Sequence, residues 1–148
     1  MTEPSKQVHG TAVSIDGDGV LITGTSGSGK SDLALRMIDG GAELIADDRV
    51  NLQAIDGNLL AGAPETIANL LEIRGVGVVE LPCGTDVALR LVIELVPAED
   101  VARLPEPAAT TVLGITLPLV RLNPFEASAP AKVRIALKLA TGEIGSPS

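Results

Sequence analysis

Val20-Leu21-Ile22-Thr23-Gly24-Thr25-Ser26-Gly27-Ser28-Gly29-Lys30-Ser31 decides the fold. The first four residues form a short apolar strand pattern. Gly24 to Ser31 match the phosphate-binding pattern G-x-x-x-x-G-K-[ST] in full. Leu33, Ala34, Met37 and Ile38 then repeat at helical spacing, which predicts a helix from about Lys30 to Asp39 that stops at Gly40-Gly41. Strand, glycine-rich turn and helix start together make an anion cradle. The glycines let the backbone curl so that successive N–H groups face one phosphate, and the helix N-terminus adds partial positive charge. Gly24, Thr25, Ser26, Gly27, Ser28, Gly29, Lys30 and Ser31 are the candidate nucleotide-binding residues. In this pattern the lysine brings a full charge to the β/γ-phosphates and the serine offers a hydroxyl to Mg²⁺.

Outward from the loop, Glu43-Leu44-Ile45-Ala46 reads as the next strand and ends at Asp47-Asp48. A carboxylate at such a strand end is where P-loop proteins organise their metal. Two adjacent carboxylates offer more: one can serve Mg²⁺ while the other meets an acceptor hydroxyl. Hairpins are predicted around Asp16-Gly17-Asp18-Gly19, joining His9–Ser14 to Val20–Thr23, and around Asp56-Gly57-Asn58, joining Val50–Ala54 to Leu59–Ala63. Thr66–Leu70 suggests a helical turn, Val76–Leu81 and Val87–Val96 are β-rich, and Pro97–Pro107 is irregular. Leu117–Leu122 is apolar but ambiguous between helix and strand. Asn123–Pro130 is a loop, and Lys132–Ala140 carries a helical stripe at 133, 136, 137 and 140. Residues 1–7 and the tail from Thr141 read as loose ends. Many strands and few helices predict an α/β fold, a mixed sheet with antiparallel hairpins.

The 148 residues suit one domain, and 45% hydrophobic content excludes a disordered chain. A formal charge of −8 argues against a nucleic-acid surface. With one Phe and no Trp or Tyr, the core must be aliphatic, and stacking platforms for single strands are absent. No apolar run is long enough to span a membrane, and no secretory leader is expected. The lone cysteine, Cys83, precludes an internal disulfide, reads as structural, and fits a cytoplasmic setting.

Glu72 and Arg74 lie among aliphatics and glycines in Leu71-Glu72-Ile73-Arg74-Gly75-Val76-Gly77, which suggests an inward-facing charged pair. His9, the sole histidine, reads as structural on its spacing alone. Taken together, His9-Gly10, Gly24–Ser31, Leu-Ile-Ala-Asp-Asp-Arg-Val from Leu44 to Val50, and Leu-Leu-Glu-Ile-Arg-Gly-Val-Gly from Leu70 resemble the catalytic domain of HPr kinase/phosphorylase. That bacterial enzyme phosphorylates a serine of the phosphocarrier protein HPr. The resemblance runs over roughly residues 8–140 and is strongest before residue 80.

The resemblance implies a P-loop fold akin to phosphoenolpyruvate carboxykinase, with ATP and Mg²⁺ as cofactors and HPr as partner. It makes Asp47 the residue that takes the serine proton, with Asp48 in support and His9 beside it. Ser31, Glu72 and Asp48 would hold the metal directly or through water, and Arg74 would brace Glu72. It also implies a homo-oligomer, a hexamer in the family. The chain resembles a short proteobacterial form, without the family's usual N-terminal domain and with a shortened C-terminus. The family's Gly-Arg loop, which holds phosphate in the reverse reaction, is replaced by Asn123-Pro124-Phe125-Glu126-Ala127-Ser128-Ala129-Pro130, flanked by Arg121, Lys132 and Arg134. The kinase direction is thus implied first and the phosphorylase direction stays open. A nucleotide-sensing module without transfer, or a kinase for a small molecule, are the alternatives.

Overall fold

A computed structural model describes residues 4–65, 68–82 and 86–147. Cys83 lies outside the described residues, as does part of the helical turn expected at Thr66–Leu70. In chain order the elements are β1 (Ser5–His9), β2 (Thr11–Ile15), β3 (Asp18–Thr23), α1 (Lys30–Asp39), β4 (Glu43–Ala46), β5 (Arg49–Ile55) and β6 (Asn58–Gly62). They continue with β7 (Leu70–Ile73), β8 (Gly77–Glu80), β9 (Val87–Leu95), β10 (Ala108–Val112), β11 (Ile115–Leu122) and α2 (Ala129–Ala140). The α1 and β4 boundaries coincide with the sequence expectation, because apolar periodicity and the flanking glycines and aspartates mark both ends.

The main sheet runs β1-β5-β6-β9-β3-β2-β4, with β11 also paired to β9 and β10 to β11. β3 and β11 are each parallel to β9, while β2 is antiparallel to both β3 and β4. Hence β3, β4, β9 and β11 all point the same way. Their carboxyl ends, and the start of β2, meet at one edge. Ligands of open α/β sheets bind at such an edge.

The sheet is packed on both faces. Val20 and Ile22 of β3, Leu91, Ile93 and Leu95 of β9, and Leu122 face α1 and α2, which contribute Leu33, Ala34, Met37, Val133 and Leu137. Leu21 and Val92 point the other way, into a second cluster with Ile45, Val50, Leu52 and Leu59. Period-two alternation sends neighbouring residues of one strand into different cores. A bulge between Gly19 and Val20 shifts the β3–β9 register. Leu89 therefore serves the second cluster although Leu91 serves the first. Both predicted hairpins form, with positive φ at Asp16-Gly17 and Asp56-Gly57, as tight two-residue turns require.

Several expectations are corrected. Residues 5–7 are not loose: they belong to β1, whose backbone pairs with β5 along its whole length. His9–Ser14 is two strands, not one. A Cβ at Gly10 would stand 2.9 Å from Ile22 O, and the Gly10 N–H donates to Asp48 O at 3.1 Å. The chain thus leaves the β5 pairing and enters the β3 pairing at a residue without a side chain. The ambiguous Leu117–Leu122 is strand, with Ala108–Val112 as an unforeseen antiparallel partner. α2 begins at Ala129, with Pro130 tolerated in its first turn. Its end is closed rather than frayed, since Glu143 N and Ile144 N both donate to Lys138 O. Among the described residues no helix is long and apolar enough to cross a membrane.

Candidate active site

The loop Gly24–Ser31 joins β3 to α1 at the shared edge. Gly29 caps α1 at φ 100° with no side-chain cap, so the first-turn N–H groups have no intrahelical partner and face outward. Lys30 Nζ donates to Gly24 O at 3.0 Å and Thr25 O at 2.9 Å. An ammonium has three N–H donors, so one remains, held over the curl of the loop. Ser28 N closes the turn on Thr25 O at 3.0 Å. Ser28 Oγ is buried and has no hydrogen-bond partner among the described residues. It lies so close over Gly24 that a Cβ there would stand 2.5 Å from it. Any side chain at this position would collide with Ser28.

Asp47 arrives from the end of β4. Its Oδ1 accepts from Ser31 Oγ at 2.8 Å and from Thr11 Oγ1 at 2.9 Å. Thr11 is 1% exposed, the first residue of β2. Sequence reasoning did not single it out; the available signal was a hydroxyl residue heading an apolar strand directly after His9-Gly10. These contacts leave Asp47 Oδ2 without a side-chain partner among the described residues. A carboxylate joined to the loop's serine hydroxyl is an all-oxygen donor set, which suits a hard divalent cation with phosphate and water completing the shell. No cluster of three or more His, Cys, Asp or Glu that could hold a metal occurs among the described residues. Any cation here would therefore depend on the phosphates it accompanies.

The other candidates are placed less tightly. Asp48 is exposed at φ 70°, and its carbonyl, not its carboxylate, anchors Gly10. His9 ends β1 opposite Arg49, so the backbone brings it beside the Asp47-Asp48 turn, but its imidazole makes no hydrogen bond among the described residues. Glu72 and Arg74 correct the expectation of an inward pair. Leu71 is the fully buried residue of β7; alternation turns Glu72 outward, and Arg74 lies exposed at the hairpin tip. Among the described residues no ion pair or hydrogen bond joins them, so bracing of Glu72 by Arg74 is not observed. β7 nevertheless packs against α1, which carries the hairpin to the helix that starts the site.

The stretch 123–126 forms the opposite wall. The Arg36 guanidinium donates to Pro124 O and, at 3.2 Å, to Glu126 O. Asn123 Oδ1 accepts from Phe125 N at 3.0 Å. The cations flanking the loop are all engaged: Arg121 with Glu94 at 2.7 Å, Lys132 with Glu126 at 2.7 Å, and Arg134 with Met37 O at 3.4 Å.

Comparison with known proteins bears on the fold and the family. The family profile described as the HPr Serine kinase C-terminal domain matches residues 2–127. Over 79 residues, 53% of the chain, it is 43% identical to an HPr kinase/phosphorylase from Clostridium tetani, covering 26% of that protein. It is 51% identical over 79 residues to the HPr kinase/phosphorylase of Limosilactobacillus reuteri, again 53% of this chain and 25% of that protein. The alignments thus span about a quarter of the length of these relatives. The solved structure of the Hpr(Ser) kinase/phosphatase from Coxiella burnetii superposes with a TM-score of 0.82 at 26% identity, covering 93% of this chain and 97% of that one.

Proposed function

The chain belongs to the HPr serine kinase C-terminal domain family, and on that premise we propose that it is a Mg-ATP-dependent protein-serine kinase acting on an HPr-type phosphocarrier. The observation that carries the reading is the hydrogen-bonded set Thr11–Asp47–Ser31 beside Lys30 at the start of α1. It brings a carboxylate, a serine hydroxyl and the glycine-rich loop together, which supports the reading.

Each residue then has a task. The loop N–H groups and Lys30 hold the β- and γ-phosphates. Ser31 and Asp47 Oδ1 would hold the metal, and Asp48 and Glu72 would support it through water. Bound Mg²⁺ would neutralise phosphate charge as the γ-phosphoryl group transfers. Asp47 Oδ2 accepts the proton of the acceptor serine while its oxygen bonds to the γ-phosphorus and the bond to ADP breaks. Thr11 holds Asp47 in place for that transfer, and His9 borders it from β1. Positioning and charge neutralisation supply most of the rate in such reactions. A cytoplasmic setting and homo-oligomerisation come from family resemblance.

The test is incubation of the purified protein with Mg-ATP and an HPr-type carrier, followed by mass spectrometry of the carrier. A gain of one phosphoryl group on serine, abolished by Lys30→Ala, is the expected result. ATP binding without any transfer would replace the kinase reading by that of a nucleotide sensor.

A further inference from the structure

Phe125 is the only Phe, Tyr or Trp in the chain, and it is 71% exposed. Burying a phenyl ring is worth about 1.5–3 kcal/mol, so a fold with an aliphatic core forgoes that gain by leaving its one ring outside. The ring is not loosely hung. Arg36 reaches across from α1 to the carbonyls of Pro124 and Glu126, the residues on either side of it. Its own N–H is fixed to Asn123 Oδ1, and Asn123 Nδ2 donates to Val96 O at 3.3 Å.

The clamp sets the ring against the phosphate cradle. A Cβ at Gly29 would meet Pro124 Cγ at 3.0 Å and Phe125 Cε1 at 3.4 Å. Gly29 is the cap of α1 and the neighbour of Lys30. Strand order then decides what lies there. β3 carries the loop; β2 and β4, with Thr11 and Asp47, lie on one side of it, and β9 and β11, with Asn123 to Phe125, on the other. The Asp47 side must take the metal and the acceptor hydroxyl, so the γ-phosphate faces it. The nucleoside end of the same ligand therefore leaves across Gly29 toward β11.

We infer that Phe125 is the nucleobase platform of this site: its ring stacks on the base of a nucleoside triphosphate whose phosphates lie in Gly24–Ser31. The inference rests on the nucleotide-binding reading above. Because every base has a π-face, a single ring stacks with little discrimination. The site therefore takes purine triphosphates with similar affinity.

Titration calorimetry of the full chain in Mg²⁺, with ATP, GTP and inorganic tripolyphosphate as separate probes, tests it. Phe125→Ala is expected to weaken ATP by roughly thirtyfold, the middle of the range for loss of one aromatic–base stack. It leaves tripolyphosphate binding unchanged, and Phe125→Trp restores ATP binding. In that variant the chain's sole indole is quenched by ATP and not by tripolyphosphate. Unchanged ATP affinity in Phe125→Ala overturns the assignment. Equal losses for ATP and tripolyphosphate also overturn it, since the ring would then only support the loop. Phe125→Ala binding ATP normally but losing transfer to the carrier would make the ring a partner contact instead. If wild-type protein binds neither ATP nor tripolyphosphate, the nucleotide reading itself falls and takes this one with it.

Discussion

Asp47→Asn isolates the charge on the site's central carboxylate. The amide has the same shape, so its oxygen can keep both donors, Ser31 Oγ at 2.8 Å and Thr11 Oγ1 at 2.9 Å. What is lost is the charge assistance, about half the strength of each bond. A net worth of about 1.5–3 kcal/mol for a charged hydrogen bond against about 1 for a neutral one puts the cost of two at about 1–2 kcal/mol after allowing for partial exposure. For a domain of this size that lowers Tm by roughly 2–8 °C. The effect on chemistry is larger, because an amide cannot take the serine proton: kcat should fall by about 10²–10⁴. Nucleotide affinity falls far less than kcat, since Lys30 and the loop N–H groups still hold the phosphates while one charge beside the metal is lost. Phosphotransfer to the carrier by mass spectrometry, calorimetric ATP binding and a thermal melt read the three quantities separately. Asp48→Asn is the control for position. Asparagine tolerates φ 70°, the side chain is exposed, and the carbonyl that anchors Gly10 remains, so stability changes by less than about 0.5 kcal/mol. Wild-type transfer by Asp47→Asn would refute the reasoning, and its loss in Asp48→Asn alone would move the proton to the neighbour.

Gly29→Ala places a Cβ 3.0 Å from Pro124 at a φ of 100°, so it should cost about 1–3 kcal/mol and weaken ATP and tripolyphosphate together; full affinity would show that the 123–126 wall can give way freely. Leu71→Ala empties a fully buried position and should lower stability by about 2–5 kcal/mol in urea unfolding; a negligible change would mean that the β7–β8 hairpin is not anchored through this side chain. Glu72→Gln, at an exposed site, should leave the melt unchanged while raising the Mg²⁺ needed for half-maximal transfer roughly tenfold, and an unaltered Mg²⁺ dependence would remove Glu72 from the metal site.

Much of the site was legible in the sequence where a signal is local. Gly24–Ser31, the helix after it and the strand ending at Asp47 were readable because glycine positions, apolar period and terminators act within a few residues. β1 was missed because an edge strand with one half-buried residue, Val8, carries little apolar pattern. Glu72 and Arg74 were read as inward because their aliphatic neighbours dominate the segment. A strand's alternation fixes which residue is buried only once one face has met a core, and α1 chose Leu71.

The sequence by itself determined that a strand feeds a glycine-rich loop and a helix, that hairpins surround them, and that two carboxylates end the next strand along the chain. Only the tertiary structure decided which carboxylate meets the loop. Thr11 and Ser31 reach Asp47 across 36 and 16 residues of chain, and Arg36 reaches Pro124 across 88. Such meetings depend on strand order and direction, which arise from burying both faces of one sheet together and leave no mark in any short window of residues.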